Sequence, residues 1–382
     1  MRTVGYTRRG LTSAATATVL STAVLITAVL TSVTLSATAD TAATVASGGF
    51  PQAGSAKAAG WRVVKAIGPA KGNLAGLLTE DSAKDAWSIW TGPGLTLVDR
   101  WTGNAWARVP LPSELGAYVQ ATVSLSASSP ANAWLFGTHG TTGALRWTGA
   151  GWVLQKIPSW ILRRGSSGTI SARSAVFGPG NVWVFSLGAG AYAAHYGGRS
   201  WAKVKLPAVP TDESAVAPDD IWALGTASVL HWNGTKWTTT GLPGLPLPKG
   251  ATVSYSNLTA AGPDDAWLLR TISFPSRIPV TVVMHWDGKS WLTVASPADI
   301  VGSIAPDGRG GLWANGIDVN PGGFWLLYHL VAGHWTTEYP PAGVDNHAPQ
   351  ILTWIRGTRS LWAAGSAFTP KGHYGVILKY GV

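Results

Sequence analysis

The chain has 382 residues, 46% hydrophobic and only 12% charged, with 28 Lys plus Arg against 18 Asp plus Glu. That is enough for a large core and too apolar for a disordered protein. The absence of cysteine excludes disulfides, thiolate metal sites, a cysteine nucleophile and a lipidated-cysteine anchor, while 22 tryptophans against seven phenylalanines point to one structural job repeated many times.

Arg2, Arg8 and Arg9 precede a run without charge from Gly10 to Ala39, which holds Val24-Leu25-Ile26-Thr27-Ala28-Val29-Leu30 and ends in Ala37-Thr38-Ala39. A basic start, an apolar middle and small residues at the last and third-last positions predict a secretory signal peptide over residues 1–39 and a secreted, extracellular protein. Thr7-Arg8-Arg9-Gly10-Leu11-Thr12 is similar to a twin-arginine export motif without its usual Phe and Lys. Left uncleaved, the same run is long enough to span a bilayer and would make the chain N-terminally membrane-anchored. Cleavage removes three of the 28 basic residues and none of the 18 acidic ones, leaving a net charge of +7. The basic residues are scattered and no nucleic-acid module accompanies them, so the charge reads as a solvated surface with no nucleic-acid partner. Residues 40–60 are small and aperiodic, as in a flexible linker.

Beyond Gly60, a polar or small residue, then a small or apolar one, then Trp recurs seven times, ending at Trp87, Trp134, Trp183, Trp222, Trp267, Trp313 and Trp362. The steps are 47, 49, 39, 45, 46 and 49 residues, the period of a β-propeller blade. Each is followed by a hairpin unit of two residues five apart, usually aromatic, around a glycine, typified by His285-Trp286-Asp287-Gly288-Lys289-Ser290-Trp291. Its tryptophans fall opposite each other if Gly288-Lys289 form a two-residue turn with glycine first, or if Asp287 to Ser290 form a four-residue loop. The seventh unit stops at Tyr380-Gly381-Val382, and an unpaired Trp61-Arg62-Val63-Val64 stands before the first. The N-terminal strand over residues 61–67 is therefore expected to complete the last blade and close the ring.

In the fifth unit, strands are predicted at 257–261, 266–270, 280–286 and 290–294, with a tight turn at Gly262-Pro263-Asp264-Asp265. The expected fold is all-β, a seven-bladed β-propeller of four-stranded antiparallel blades forming one domain over residues 61–382. Eighteen of the 22 tryptophans occupy three repeat positions, and repetition favours packing between blades over sugar stacking. His195, His231, His285 and His329 share one position with Arg100, Arg146 and Lys379. The expected role is a bond to the adjoining blade over a Trp face, since strand C is too far from the axis for converging ligands.

On these repeats the chain resembles the Trp-rich seven-bladed β-propellers of secreted bacterial proteins, within the loose class that includes kelch-type and galactose-oxidase-like propellers. The resemblance is architectural. Trp286-Asp287 is the only Trp-Asp dipeptide, paired kelch-like glycines occur convincingly only at Gly197-Gly198, and Asp287 and Gly288 are adjacent where a sialidase Asp box separates them by one residue. No catalytic residue carries over.

A–B and C–D turns share one face of a propeller, while the B–C and D–A loops share the other and here vary in length, so a ligand is expected on that second face. Among the variable loops are residues 138–143, 159–169, 273–279 and 368–374. Trp90, Trp160, Trp325 and Trp354 fall outside the repeat positions. Trp160 with Arg163 and Arg164, and Trp325 after Asp318 and Asn320, offer an aromatic ring beside polar groups, the usual way to hold a sugar or a peptide; the plainer role is to cover the ends of the core. Asp345 and His347 with His373 and Tyr374 form the best polar cluster, because consecutive loops of one face can meet near the axis. Asp212 and Glu213 are among the few loop acids. No nucleophile with its base, carboxylate pair or metal-ligand set stands out, so no catalytic residue, metal or cofactor is assigned. The expected function is that of a monomeric binding protein for an extracellular or cell-wall polysaccharide. A glycan-cleaving lyase or hydrolase would instead show carboxylates converging on the central channel. A protein-interaction scaffold would show a dry apolar patch, for which Trp160-Ile161-Leu162 looks suitable, and a lectin-like protein an aromatic-lined groove.

Overall fold

The computed structural model describes residues 60–70, 75–93, 95–116, 119, 122–139, 141–294, 296–297, 300–317, 325–339, 341, 349–369 and 372–381. The predicted leader and nearly all of the linker, together with Asp318, Asn320, Asp345 and His347, lie outside the described residues, as does the side chain of Trp325.

Seven four-stranded antiparallel sheets form the blades. Their inner strands are Ala75–Ser82 (β2), Thr122–Ser129 (β6), Ala172–Gly178 (β10), Asp212–Ala217 (β14), Thr252–Gly262 (β18), Ile300–Pro306 (β22) and Pro349–Trp354 (β26). Each contacts the next, and β26 contacts β2, so the inner strands circle a central channel. Six blades are built from consecutive strands. The seventh takes Trp61–Ala70 (β1) as its outermost strand against Gly372–Tyr380 (β28), with Trp61 opposite Tyr380. The Arg62 guanidinium also donates to the Gly381 carbonyl. The first and last described strands thus satisfy each other's edges, as expected from the unpaired Trp61.

In the hairpin unit Trp286 faces Trp291, the Asp287 N–H bonds the Ser290 carbonyl at 3.3 Å, and Gly288 has φ 87°. This is the two-residue turn with glycine first. A Cβ on Gly288 would come within 2.8 Å of Asp264 Oδ1, so the C–D turn rests on the A–B turn of its own blade. The Trp286 indole strengthens that seat by donating to the Pro263 carbonyl at 3.1 Å, and Trp101, Trp147 and Trp232 do the same to Ala83, Pro130 and Pro218. Blade six differs: Ala332 and Gly333 both have positive φ, 48° and 81°, forming a two-residue turn between Val331 and His334.

Seven apolar clusters each straddle two neighbouring blades. Trp222 of blade four packs at 6.3 and 6.5 Å against Trp286 and Trp291 of blade five, and Trp313 of blade six at 5.4 and 4.5 Å against Trp61 and Tyr380 of blade seven. The repeated tryptophans are the packing between blades. Two of the four others are also structural. Trp90 is buried against Gly76 and Gly375, where a Cβ would lie 2.9 and 2.6 Å from its ring, and the Trp354 indole donates to the Thr358 carbonyl at 2.9 Å.

The basic residue of strand C bonds within its own blade, not to the adjoining one. The cross-strand register sets Trp222 opposite His231, whose ring stacks on the indole at 4.0 Å. Asp220 then receives both the Trp222 indole N–H and the His231 ring nitrogen at 2.8 Å. Asp265 serves Trp267 and His285 likewise, Asn132 serves Trp134 and Arg146, and Asp85 serves Trp87 and Arg100. In blade six Gly311 holds the acidic position and Asp307 reaches in from the turn, 3.0 Å from the His329 ring nitrogen. A Cβ on Gly311 would lie 2.5 Å from the Asp307 carboxylate. Lys379, 5.3 Å from the ring of Trp362, also lies 5.5 Å from that of Trp101 in blade one, and the His329 ring meets Tyr380 of blade seven edge-on at 6.4 Å.

Three expected variable loops are mostly strand. Residues 138–143 join Asn132–His139 (β7) to Thr141–Trp147 (β8), 273–279 join Asp265–Phe274 (β19) to Arg277–Trp286 (β20), and 368–374 join Leu361–Thr369 (β27) to β28. Runs such as Val280-Thr281-Val282-Val283 prolong the ladder beyond the repeat core. In blade five β20 therefore outruns its outer neighbour Trp291–Val294 (β21), whose pairing stops at Val283. The Val283 N–H points outward to Ser296 Oγ at 2.7 Å, so by the alternation of a strand position 279 points outward too, and there proline has no N–H to offer.

Candidate functional site

On the loop face, residues 158–171 form an internally bonded segment. The Gly165 N–H bonds the Thr169 carbonyl at 2.8 Å, Arg164 bridges to Ile170, and its guanidinium caps the Gly168 carbonyl at 2.6 Å. Ile161 and Leu162 are buried among residues of blades two and three, and Ser186 Oγ–H bonds the Ile161 carbonyl. The supposedly exposed run Trp160-Ile161-Leu162 is thus an anchor, because its aliphatic residues plug the gap between two blades. Trp160 is half-buried, its ring 6.0 Å edge-on to Tyr192, whose hydroxyl donates to the Trp160 carbonyl at 2.8 Å. Lys203 Nζ lies 3.9 Å from the Tyr192 ring centre and 5.9 Å from that of Trp160. Arg163 and Arg164 are exposed beside them.

The other predicted residues are less gathered. His373 and Tyr374 are strand residues of β28, opposite Phe368 and Ala367, not members of a loop, because the ladder of blade seven runs on to Gly372. Trp325 opens Trp325–Val331 (β24), paired with Ile317. Asp212 and Glu213 likewise belong to inner strand β14, not a loop; Glu213 lines the channel cavity, whereas Asp212 accepts from the Leu258 N–H of blade five at 3.1 Å.

The channel is where charge converges. Toward its A–B turn end lies a cavity of about 330 Å³ lined by Glu80, Asp81, Ser126, Ser174, Glu213 and Arg356, among others. These come from blades one, two, three, four and seven. Arg356, on the turn after β26, reaches across to blade four, donating at 2.6 and 2.8 Å to the carbonyls of Ala215 and Val216, while its Nε lies 3.3 Å from Glu80 Oε1 in blade one. Burial raises Glu80 to about 7 despite Arg356, and burial with the neighbouring Asp212 raises Glu213 to about 8 despite Arg173 and Arg356. Burial and Asp85 raise Asp81 to about 6. Arg173 pairs with Asp212 at 3.3 Å. Repeat patterning missed Glu80, Asp81 and Arg356 because they sit on positions that do not recur; acids on inner strands, in a fold where those strands line a channel, were the available signal.

A second concavity, of about 820 Å³, lies on the turn face where blades six, seven and one meet, lined by Trp313, His329, Lys379 and Tyr380 with Arg309 and Arg359. It is aromatic, but Trp313 is fully buried and offers no flat platform. Among the described residues no group of three His, Cys, Asp or Glu is arranged to hold a metal ion, and no helix is long and apolar enough to cross a membrane.

No protein-family model and no curated protein matches the chain. Solved propellers do. YCF48 bound to a D1 peptide is similar at 13% identity and a TM-score of 0.52, covering 83% of this chain and 99% of that one. The Cps50 (Swd1) β-propeller domain of Myceliophteria thermophila matches at 10% identity and 0.48, covering 83% and 99%. A six-bladed fucose-recognising lectin of Aleuria aurantia matches at 12% and 0.40, covering 71% and 97%. At such identities the likeness is one of fold.

Proposed function

We propose that this propeller is an exported binding protein that holds an extracellular or cell-wall polysaccharide on its loop face. The observation that carries the reading is the bonded segment 158–171, which sets Trp160, Tyr192 and Lys203 together with exposed Arg163 and Arg164 beside them. Aromatic faces take the apolar side of a pyranose, and cationic or amide groups take its hydroxyls and carboxylates. Among the structurally similar propellers are one bound to a peptide and one that recognises fucose, so the architecture serves binding in more than one chemistry. Trp325 is proposed as a second contact on the same face.

A glycan array probed with the protein, with Trp160→Ala and with Trp325→Ala tests this. Wild-type binding that falls about tenfold or more in Trp160→Ala, with melting temperature nearly unchanged, is the expected result; a tenfold loss corresponds to about 1.4 kcal/mol. No glycan bound, or binding indifferent to both changes, overturns it. One observation favours a second reading, a protein partner. The wing of blade five exposes Leu245, Leu247, Val253, Val280 and Ile278, the last 60% exposed. The glycan-cleaving reading would draw on the channel carboxyls, but Arg356 is laid across them, bound to Glu80 and to two carbonyls of blade four.

A further inference from the structure

The channel cavity is used by nothing in the loop-face reading, and three carboxyls line it against one guanidinium. Glu80, Asp81 and Glu213 face it, with the hydroxyls of Ser126 and Ser174 beside them, and the one guanidinium in its lining belongs to Arg356. That guanidinium is already engaged by two carbonyls of blade four and by Glu80. The Ser126 hydroxyl accepts the N–H of Val176, and that of Ser174 pairs with Ser124. Neither therefore neutralises a carboxylate. Glu80 is only 5% exposed, and its Oε2 has no hydrogen-bond partner among the described residues. A buried carboxylate oxygen without a donor marks a place where a donor from outside the chain is missing.

The acceptor set narrows the guest. Among the described residues no trio of acidic or imidazole groups is arranged to hold a metal ion. An ammonium carries three N–H donors around one charge, which two carboxyls and a hydroxyl of this lining can share. An anion is disfavoured by three carboxyls against one guanidinium. We propose that this end of the channel binds the primary ammonium group of a cationic amine, with Glu80 and Glu213 as its acceptors. Arg356, its side chain 44% exposed, stands beside the site as an internal cation that shares Glu80 with the guest. The resting carboxyls hold protons near neutrality because burial raises them. Binding therefore expels protons and tightens as pH rises.

Isothermal titration of the protein with 1,4-diaminobutane at pH 6.5 and pH 8.5, with choline chloride and calcium chloride as parallel arms, decides the matter. The expected result is saturable amine binding, about fivefold or more tighter at pH 8.5, with proton release seen as heat that depends on the buffer. Choline has no N–H donor and is expected to give no saturable heat. Glu80→Gln and Glu213→Gln, near-isosteric replacements for carboxyls that are largely protonated in the fold, are each expected to weaken binding about tenfold with melting curves still cooperative. Four results would overturn the proposal: no saturable amine heat at millimolar concentration, undiminished binding in both variants, equal binding of choline, or calcium binding without amine binding. The residues differ from those of the loop face, so failure here leaves the polysaccharide reading standing, and failure of the glycan array leaves this site standing.

Discussion

Glu213 holds its proton far more tightly in the fold than in the unfolded chain, at about 8 against an ordinary 4.5. Between about 4.5 and 8 the folded state keeps a proton that the unfolded chain has released, and rising pH across that window favours unfolding. The proton's contribution to stability is full below about 4.5 and is lost as pH rises through 7 to 8, with Glu80, at about 7, adding to it in the same direction. Melting temperature is expected to fall between pH 6 and pH 8.5. Glu213→Gln is expected to flatten that slope and to raise stability at pH 8.5 by about 1–3 kcal/mol, each pKa unit being worth about 1.4 kcal/mol. A wild-type melting temperature flat across this range would contradict the buried-carboxyl picture. Other residue-level partnerships behave oppositely. Burial alone would raise Asp307, but His329 and the N–H groups of Gly311 and Arg309 outweigh it and hold its carboxyl below the ordinary range, whereas His195, which pairs with Asn181, has no carboxylate beside it and is pushed down by burial. The recurring basic residue of strand C was visible in the repeat, but its partners were not, and Asp307 does not even stand at the acidic repeat position. Nor was the direction of its bonds, because the twist and register that put His231 over Trp222 of its own blade cannot be read from spacing.

Among the strands, the hairpin around Gly288 was legible in its pairing of Trp286 with Trp291, since a glycine between aromatics five apart leaves few ways to turn, though two forms of the turn stayed open. The long strands of blade five were not. Their extensions carry β-branched residues beside a proline, and Pro279 reads as a loop breaker when it is in fact tolerated on an outer edge. There it removes the N–H that would face an incoming strand. Pro279→Val restores that donor without touching the inner ladder, and light scattering is expected to show a rise in average mass at about 0.1 mM relative to the wild type, with melting temperature nearly unchanged. Identical mass profiles for the two proteins would mean that the edge is guarded by something else. Segment 158–171 was legible as an aromatic ring beside cations, but not as an anchor, because burial of Ile161 and Leu162 depends on a gap between blades that exists only after the ring has formed.

At the scale of the molecule, the count of blades and the closing strand followed from the period and from one unpaired Trp61, whereas the channel did not. Glu80, Glu213 and Arg356 are 133 and 143 residues apart in sequence and meet only because seven blades come round to the start. Deleting residues 61–67 removes the partner of β28 and the Trp61 that fills the gap beside Trp313, and is expected to lower the melting temperature by 10 °C or more, or to abolish cooperative melting, roughly the scale of losing a core tryptophan together with a strand. Unchanged melting would sink the closure. The same pairing sets a timetable for biosynthesis. The strand that is made first among those described waits for the nine residues of Gly372–Tyr380, which are made last, and until they arrive two sheet edges stay bare. A nascent chain that ends before Gly372 keeps only the β26–β27 pair of the seventh blade and leaves β1 without its partner, so a late stop codon should still prevent the ring from closing.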